Sequence, residues 1–418
     1  MVGRNSRSIT VGEPQENLMT IRVDYNFFGL YVETSDQAVY LEGAVVDTDP
    51  SDSPFLWGVP VAEWPSAIYY FLNGNDFISL SGDFNDYVNA SAGDDNVGAG
   101  GGNDLILGGG GDDILQGEAG DDELNGGEGS DSLMGGADDD LLVGNLGDDS
   151  VDGGDGNDTM YGGAGSDEMS GEAGMDTMHG GIGSDAMSGG DDADTMYGGT
   201  EGDEMNGDDG DDIIWGQAGD DELNGGAGND TMYGGLGSDG MFGDIGNDDM
   251  RGNLGDDQLN GADGNDTLRG NFGNDALEGG TGDDIINGGY GNDELFGGLG
   301  ADTLNGGPDS NFYYYESAAD STALAGGRDT IVSFKPGLDI IDVWDVDAKA
   351  GSLTINEAFT WLGEAVAFTA ASQVRLQLDG TSNTLVLFNT NNNFATVEMA
   401  ILIQNVLPSE LSASDFYL

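Results

Sequence analysis

Cysteine is absent from the 418-residue sequence, and basic residues are scarce: 9 Lys+Arg stand against 80 Asp+Glu, for a formal net charge of -71. Without cysteine, no disulfide can stabilise the fold. The negative charge excludes nucleic acid as a partner and disfavours an anionic membrane surface. No apolar run approaches the ~20 residues that a membrane-spanning helix needs, and residues 1–20 lack the apolar segment of a Sec-type signal peptide. We therefore expect neither membrane insertion nor a Sec-type leader.

Glycine and acidic residues, by contrast, are abundant and unevenly placed. The chain has 77 glycines, well above the ~7% that is usual in globular proteins. Residues 1–75 carry a net charge of -7 and residues 311–418 one of -9, whereas residues 76–310 carry -55, with Arg251 and Arg269 as their bases. Because such a shift in composition marks a domain boundary, we expect three segments, 1–75, 76–310 and 311–418.

The middle segment is built from a nine-residue repeat. Aspartate recurs every nine residues from Asp86 to Asp302, 25 times without a break, and an apolar residue U follows each aspartate by two positions. Glycine usually stands two positions before the aspartate, so the unit reads G-G-x-G-x-D-x-U-x, as in GGDGNDTMY at 153–161. One apolar residue in nine cannot build a helical core, but it suffices if short strands point U inward and stack. Two repeats then form one 18-residue coil, which predicts an all-β fold, a right-handed parallel β-roll.

Stacking of the coils places each aspartate beside the aspartate two repeats further along the chain. Two unit charges ~5 Å apart repel by ~3 kcal/mol at an effective dielectric of ~20. Summed over the array, this exceeds the ~5–15 kcal/mol stability of an ordinary domain, so the coils cannot close without cations. Carboxylates and turn carbonyls are hard oxygen ligands, which favour Ca²⁺. We expect multiple Ca²⁺ ions and folding that depends on them.

These nonapeptides resemble the repeats of the RTX (repeats-in-toxin) family, whose calcium-filled parallel β-roll agrees with the coil deduced above. The resemblance implies export by a type I secretion system, with folding outside the cell. It also implies calcium ligation by repeat aspartates and by carbonyls of the Gly-rich turns. The aspartates are Asp95, Asp104, Asp113, Asp122, Asp131, Asp140, Asp149, Asp158, Asp167, Asp212, Asp221, Asp230, Asp239, Asp248, Asp257, Asp266, Asp275, Asp284, Asp293 and Asp302. The turn glycines are Gly102, Gly111, Gly120, Gly129, Gly219, Gly228, Gly237, Gly255, Gly264, Gly273, Gly282, Gly291 and Gly300. At 174–206, Met175, Ala193 and Gly202 replace the usual residue before the aspartate, and we assign no calcium site there.

The side chains beside U should point outward and form rows, with one member of a row in every second repeat. One sheet carries an aromatic ladder followed by two arginines: Tyr161, His179, Tyr197, Trp215, Tyr233, Arg251 and Arg269. An exposed patch of this kind is typical of an interaction surface, and its candidate partners are a polysaccharide, a second copy or the protein's own terminal domain. Intra-sheet stabilisation by stacked neighbours is the alternative. U itself is methionine in nine units, where the inward phase predicts core packing rather than a soft-metal site.

The flanking segments lose the repeat. Residues 311–418 resemble the C-terminal domain of serralysin-type secreted metalloproteases in the stretches ESAADSTALAGGRDTIVSF, KPGLDIIDVWDVDA and LSASDFYL. The resemblance implies an export signal at 415–418. Alternation predicts strands at 374–378, 384–388 and 397–403.

Residues 1–75 contain apolar and aromatic runs at 25–31, 39–46 and 67–72, which we expect to be strands. A solenoid needs its open end covered against edge pairing. We therefore expect this segment to cap the roll, and LNGNDFISL at 72–80 resembles a degenerate first repeat.

No recognised catalytic motif is present. The H-E-x-x-H zinc site of the serralysins needs two histidines, and the chain has one, His179. It also lacks a G-x-S-x-G elbow. We expect a secreted, non-catalytic calcium-binding protein that acts as a surface-layer, extracellular-matrix or adhesion component. Its expected partners are the type I secretion machinery and either itself or an extracellular polysaccharide. The alternative is a secreted accessory or polysaccharide-active protein whose repeats serve export and folding.

Overall fold

The computed structural model describes residues 6–11, 19–26, 29–32, 69–71, 74–80, 85–344, 346, 360–363, 373–380, 382–389 and 397–418. They fall into two compact units, Met1–Thr200 and Glu201–Leu418. Both are built of short β-strands. Among the described residues, helix is confined to 3-10 turns at Ala325–Gly327, Pro408–Glu410 and Ala413–Asp415.

In the first unit, a strand begins directly after each repeat aspartate, and from β7 onward every strand is six residues long. The strands are β1 (Ser6–Val11), β2 (Met19–Asn26), β3 (Gly29–Val32), β4 (Tyr69–Phe71), β5 (Phe77–Ser79), β6 (Tyr87–Asn89), β7 (Asn96–Gly101), β8 (Leu105–Gly110), β9 (Ile114–Ala119), β10 (Glu123–Glu128), β11 (Ser132–Ala137), β12 (Leu141–Leu146), β13 (Ser150–Asp155), β14 (Thr159–Ala164), β15 (Glu168–Ala173), β16 (Thr177–Ile182), β17 (Ala186–Asp191) and β18 (Thr195–Thr200).

The strands from β4 onward each pair in parallel with the strand two places along the chain. The odd-numbered strands β5 to β17 form sheet A, and the even-numbered strands β4 to β18 form sheet B. Residues at equivalent positions two repeats apart lie opposite each other, as Leu124 does with Leu142. Two nonapeptides therefore make one coil, as the periodicity predicts.

At the N-terminal end, β1 pairs antiparallel with β2 and also with β5. The pairing of Thr10 with Ser79 lays this strand along the first parallel strand of sheet A. The expected strands at 25–31 and 67–72 are found in part, while the expected strand at 39–46 lies outside the described residues. Capping of the roll by this segment stays a prediction.

The second unit repeats the pattern and adds a short antiparallel part. Its strands are β19 (Glu204–Asp209), β20 (Ile213–Ala218), β21 (Glu222–Ala227), β22 (Thr231–Leu236), β23 (Gly240–Ile245), β24 (Asp249–Leu254), β25 (Gln258–Asp263), β26 (Thr267–Phe272), β27 (Ala276–Thr281), β28 (Ile285–Tyr290), β29 (Glu294–Leu299), β30 (Thr303–Asn305), β31 (Phe312–Tyr314), β32 (Thr330–Val332), β33 (Ile340–Asp342), β34 (Thr360–Trp361), β35 (Gln373–Asp379), β36 (Asn383–Asn389), β37 (Met399–Ile403) and β38 (Phe416–Tyr417).

Both sheets of this unit continue in parallel beyond the last nonapeptide. Sheet A runs from β19 through β29 and β31 to β33 and β38, and sheet B from β20 through β30 and β32 to β37. The predicted strands of the C-terminal segment are confirmed as β35, β36 and β37, which pair antiparallel. The likeness of residues 311–418 to the serralysin-type domain stays a prediction.

The core of each unit is a row of U side chains between the two sheets. All U residues from Val88 to Leu304 are at most 4% exposed, including the nine methionines from Met160 to Met250. The second strand residue points inward and its two neighbours outward, as the burial pattern of Thr177–Ile182 illustrates. Core packing of the methionines and the parallel β-roll are therefore confirmed.

Candidate metal centre

Within each unit, the repeat aspartates link neighbouring coils through their side chains. Oδ1 of Asp113 accepts a hydrogen bond from the backbone N–H of Asp95, one coil earlier, at 2.8 Å, and the same contact recurs in both units. The aspartates are nearly inaccessible to solvent, since none from Asp86 to Asp302 is more than 4% exposed. The carboxylates thus lie in two buried rows in each unit, one row for each sheet.

In 19 of these aspartates the second carboxylate oxygen has no hydrogen-bond donor. Oδ2 is buried and unpartnered at Asp95, Asp113, Asp122, Asp131, Asp140, Asp149, Asp158, Asp167, Asp176, Asp221, Asp230, Asp239, Asp248, Asp257, Asp266, Asp275, Asp284, Asp293 and Asp302. A buried carboxylate without a partner destabilises a fold by several kcal/mol unless it is neutralised. A repeated series of such atoms is the arrangement that a row of cations would satisfy.

Oδ2 occupies a space that a glycine leaves open. A Cβ added to Gly108 would lie 2.3 Å from Oδ2 of Asp113 and 2.7 Å from the carbonyl oxygen of Gly126 in the next coil. A carboxylate and a carbonyl from adjacent coils therefore converge beside this glycine. The position two residues after U is glycine in all 23 repeats from Gly108 to Gly306, because any side chain there would displace these oxygens.

Burial raises the pKa of the repeat aspartates where no counter-ion offsets it. The pKa of Asp113 rises from 3.8 to about 7 and that of Asp122 to about 6. Desolvation is the largest cause, the backbone hydrogen bond to Oδ1 opposes it, and the charges of neighbouring aspartates add to it. Because a cation binds the ionised carboxylate, cation binding at neutral pH should release protons.

The donor set fits Ca²⁺. All converging atoms are hard oxygens, and in the described part of the chain no three His, Cys, Asp or Glu side chains gather at one point. A cation held between coils must therefore take further ligands from backbone carbonyls or water. The flexible 6–8 oxygen coordination of Ca²⁺ tolerates such a set, whereas Mg²⁺ demands near-ideal octahedral geometry.

All aspartates predicted from the repeat lie in these two rows. The aspartates to which we assigned no site, at 174–206, have the same burial, and Oδ1 of Asp194 accepts the N–H of Asp176 at 2.7 Å. The structure thus gives no geometric reason to separate these repeats from the others. Occupancy of each position by calcium stays a prediction.

The turn glycines predicted as carbonyl ligands lie between successive strands. Gly111 has φ of 124°, and a Cβ there would lie 2.2 Å from the carbonyl oxygen of Gly93 in the preceding coil. Glycine is therefore required by close contact between coils and by backbone conformation. The sequence prediction omitted the glycine two residues after U, which its unbroken occurrence could have indicated.

The aspartate rows extend into the C-terminal segment, which the repeat pattern did not predict. The N–H of Asp302 donates to Oδ1 of Asp329 at 3.1 Å, and the N–H of Asn311 donates to Oδ1 of Asp339 at 3.1 Å. Burial, followed by the charge of Asp302, raises the pKa of Asp329 to about 9. The D-x-U triplets at 329–331 and 339–341 are the signal that identifies these positions.

The predicted aromatic ladder is stacked on the outer face of sheet B. In the first unit, the ring centroids of Tyr161 and His179 are 4.8 Å apart and those of His179 and Tyr197 4.6 Å, with rings parallel within 3°. In the second unit, Trp215 and Tyr233 are stacked at 5.6 Å. Desolvation lowers the pKa of His179, which favours the neutral ring in this stack.

A parallel β-roll with two rows of buried carboxylates between its coils defines a calcium-binding β-solenoid. The family model for the RTX calcium-binding nonapeptide repeat (4 copies) matches residues 72–106, 80–115, 98–133, 107–142, 134–169, 170–205, 206–241, 242–277 and 278–313. The chain therefore belongs to the RTX calcium-binding repeat family, whose repeats bind multiple Ca²⁺ ions.

Two solved structures are similar to this chain, both subunits of the Azotobacter vinelandii mannuronan C5-epimerase AlgE6. The R3 subunit is 23% identical, with 48% of this chain and 80% of that chain covered and a TM-score of 0.23. The R2 subunit is 22% identical, with 40% of this chain and 91% of that chain covered and a TM-score of 0.23. No curated protein matches the chain by sequence. No helix among the described residues is both long and apolar enough to cross a membrane.

Proposed function

We propose that the protein is secreted through a type I system, folds when it meets calcium outside the cell, and acts as a non-catalytic surface-layer, extracellular-matrix or adhesion component. The observation that carries this proposal is the repeated, buried Oδ2 of the aspartate rows. Such rows oppose folding where calcium is scarce and stabilise the fold where it is plentiful. At ten times its dissociation constant, one bound calcium adds ~1.4 kcal/mol to stability, so an array of sites acts as a strong switch.

Export in the unfolded state agrees with the environment of the C-terminal residues. Asp415 is 1% exposed and accepts hydrogen bonds from the N–H groups of Gly337 and Ser412, both at 2.6 Å. Phe416 is 4% exposed, and its ring centroid lies 5.0 Å from that of Trp361. A recognition signal formed by these residues would be accessible before folding and buried afterwards. Recognition would therefore precede calcium binding.

A structural rather than catalytic role is supported by the surface of the coils. Outward positions repeat similar side chains from coil to coil, which suits a surface that binds or assembles along its length. His179 lies between Tyr161 and Tyr197 in a parallel stack, where its ring is held by neighbours rather than directed into a cleft.

A secreted accessory or polysaccharide-active protein is the second candidate. The observation that favours it is the row of aromatic side chains on the outer surface of sheet B, where Trp215 and Tyr233 are stacked at 5.6 Å, because Trp and Tyr offer an apolar ring together with a hydrogen-bonding group. Turnover of an acidic polysaccharide by the purified protein would support this candidate over the first.

Calcium titration of the purified full chain tests the main proposal. Circular dichroism should show a cooperative gain of β-structure between ~10⁻⁴ and 10⁻³ M calcium, the range of extracellular calcium modules, and magnesium at the same concentrations should not replace it. Electron microscopy of the calcium-loaded protein should show ordered layers or filaments. A chain that is fully folded in chelator would contradict calcium-dependent folding, and a folded chain that stays monomeric at all concentrations would contradict the assembly role.

A further inference from the structure

The second unit carries two outer faces of opposite character, one on each sheet. We propose that copies of the chain associate head to tail through this unit, with the arginine-bearing face of sheet B of one copy seated on the acidic groove of sheet A of the next. This inference rests on the proposed assembly function and names the surfaces that perform it.

The arginine face is formed by sheet B of the second unit. Arg251 and Arg269 lie on adjacent strands, and both guanidinium groups bind Asp249, at 2.8 and 2.5 Å. Asp249 is the one acidic residue in the strands β20, β22, β24, β26 and β28, so the cluster keeps an excess of positive charge. Cζ of Arg251 lies 5.0 Å from the ring centroid of Tyr233, and its Nη1 donates a hydrogen bond to Oη of Tyr233 at 3.1 Å. Arg251 is therefore held against this ring.

An apolar row follows the same strands at their last residue. Its members are each 46–60% exposed: Leu236, Leu254, Phe272 and Tyr290. Phe272 and Tyr290 stack at 5.1 Å. An exposed apolar row beside two arginines is typical of an interface centre, where aromatic residues and arginine are enriched.

The acidic groove lies on the opposite side of the unit, along sheet A. It is a cleft of about 430 Å³. Aromatic side chains of Phe242, Phe296 and Tyr314 line it, and so do the carboxylates of Glu278, Glu294, Glu316 and Asp342. The charges of Glu294 and Asp342 contribute, after desolvation, to a raised pKa of Tyr314, so that acid and aromatic groups are close together. Carboxylates with aromatic faces are the partners that guanidinium groups prefer.

The two faces are opposite in charge, and on each face the paired charges lie on neighbouring strands. Arg251 lies directly opposite Arg269 on the neighbouring strands β24 and β26. Glu278 and Glu294 also lie on neighbouring strands, β27 and β29, but Glu294 lies opposite Ala276 and so stands diagonal to Glu278. With strands ~4.8 Å apart and residues ~3.3 Å apart along a strand, the two glutamates are roughly 8 Å apart at the backbone, a distance that two long, flexible arginine side chains can span. Because each copy offers both surfaces, the contact is heterologous and propagates instead of closing into a dimer.

The small area of the two faces indicates that a single contact between two copies is weak, and that stable association needs many such contacts. Five strands at ~4.8 Å spacing and six residues at ~3.3 Å cover roughly 500 Å² per copy, or about 1,000 Å² in total, the lower end of specific interfaces. Such contacts become stable when many are made together. We therefore expect assembly above a critical concentration and strong sensitivity to salt.

Charge reversal on each face tests the contact in the full, calcium-loaded chain. The double variant Arg251→Glu/Arg269→Glu and the double variant Glu278→Arg/Glu294→Arg should each raise the critical concentration by ~100-fold, because like charges then meet at the contact. Arg251→Lys/Arg269→Lys keeps the charge, and Glu204→Arg/Glu222→Arg makes the same change on sheet A outside the groove. Both controls should assemble at nearly the wild-type concentration, and calcium midpoints by circular dichroism should agree within about twofold.

Mixing the two reversed variants decides the identity of the partner. In an equimolar mixture, each reversed face meets its reversed complement, so alternating assembly should return to within a few-fold of wild type. Assembly of either variant alone at the wild-type concentration would overturn the inference and leave the proposed function standing. A different result would assign the arginine face to an acidic polysaccharide instead: the mixture fails to assemble, and Arg251→Glu/Arg269→Glu loses binding to polygalacturonate. A wild-type chain that never assembles would overturn the proposed function as well.

Discussion

Replacement of Asp149 by asparagine tests whether the buried carboxylates oppose folding until calcium neutralises them. Oδ1 of Asp149 accepts the N–H of Asp131 at 2.8 Å, and its Oδ2 is unpartnered. Asparagine can keep the first contact through its own Oδ1 while it removes the charge. Desolvation, opposed by that hydrogen bond and reinforced by Asp167, raises the pKa of Asp149 from 3.8 to about 7.

The expected effect changes sign with calcium concentration. A pKa rise from 3.8 to about 7 corresponds to ~4 kcal/mol. Relaxation of the calcium-free coil and entry of water reduce this penalty, so the ionised carboxylate should destabilise the calcium-free coil by ~2 kcal/mol above pH 7. The variant is relieved of this penalty but loses a calcium ligand. When free calcium is at a thousandfold excess over the dissociation constant, one bound ion adds ~4 kcal/mol to the free energy of unfolding. Asp149→Asn should therefore be more stable than wild type near the folding threshold and less stable at saturating calcium.

Urea denaturation at pH 8 and graded calcium concentrations measures this crossing. Asp148→Asn is the matched control, because Asp148 is exposed, carries the same charge and accepts the N–H of Ser166 at 2.9 Å. Its stability curve should stay parallel to that of wild type. If Asp149→Asn were the less stable protein at every calcium concentration, or if Asp148→Asn showed the same crossing, the repulsion argument would be refuted.

Three further predictions concern protons, glycine and the C-terminal aspartate. Without calcium, the aspartates with a folded pKa of about 6 to 7 bind more protons in the folded chain than in the unfolded chain, where the pKa is 3.8. The calcium-free fold therefore loses stability as pH rises through 6–7 and gains stability as pH falls. Circular dichroism in chelator should show more β-structure at pH 5 than at pH 8. Equal spectra at the two pH values would contradict this prediction. Gly144→Ala should weaken calcium-induced folding by ~2 kcal/mol or more, because the added Cβ would lie 2.3 Å from Oδ2 of Asp149. Gly110→Ala is the control, because the nearest atom to its added Cβ would be 3.9 Å away. It should leave the calcium midpoint within about twofold of wild type. Without calcium, burial raises the pKa of Asp329 to about 9, so this carboxyl is protonated at pH 6. Asp329→Asn should therefore shift stability in urea and chelator at that pH by less than ~0.5 kcal/mol; a larger loss would mean that the carboxylate is ionised there.

The strict nine-residue register was sufficient to predict the coil. It identified the two sheets, the inward U side chains and the contact between aspartates of successive coils, because a period of two repeats per coil allows one arrangement that buries every U. The methionines from Met160 to Met250 follow from the same phase. The outward stack of Tyr161, His179 and Tyr197 also follows, since equivalent side chains of successive coils must be neighbours.

Other features could not be predicted because they depend on distances that the repeat does not encode. From the repeat alone, Gly108 and the equivalent glycines are predicted to be turn residues, whereas in the structure each of them lies beside a carboxylate. The aspartate rows were expected to stop near Asp302, because the spacing to Asp329 is irregular. The acidic groove follows the 18-residue period from Phe242 through Glu278 and Phe296 to Tyr314, but its end at Asp342 lies beyond the repeat, 28 residues after Tyr314.

The hydrogen bond from each backbone N–H to the aspartate of the following coil gives the stack a direction. The backbone N–H groups of a coil find their acceptors only when the following coil has supplied its carboxylates. The order of each coil therefore depends on the residues that follow it in the chain. In the second unit the series is concluded by partners 27 and 28 residues ahead, at Asp329 and Asp339. The backbone N–H of Asp329 in turn donates to Oγ of Ser321 at 2.9 Å and not to the carboxylate of a following coil, so this row of directional contacts ends within the C-terminal segment.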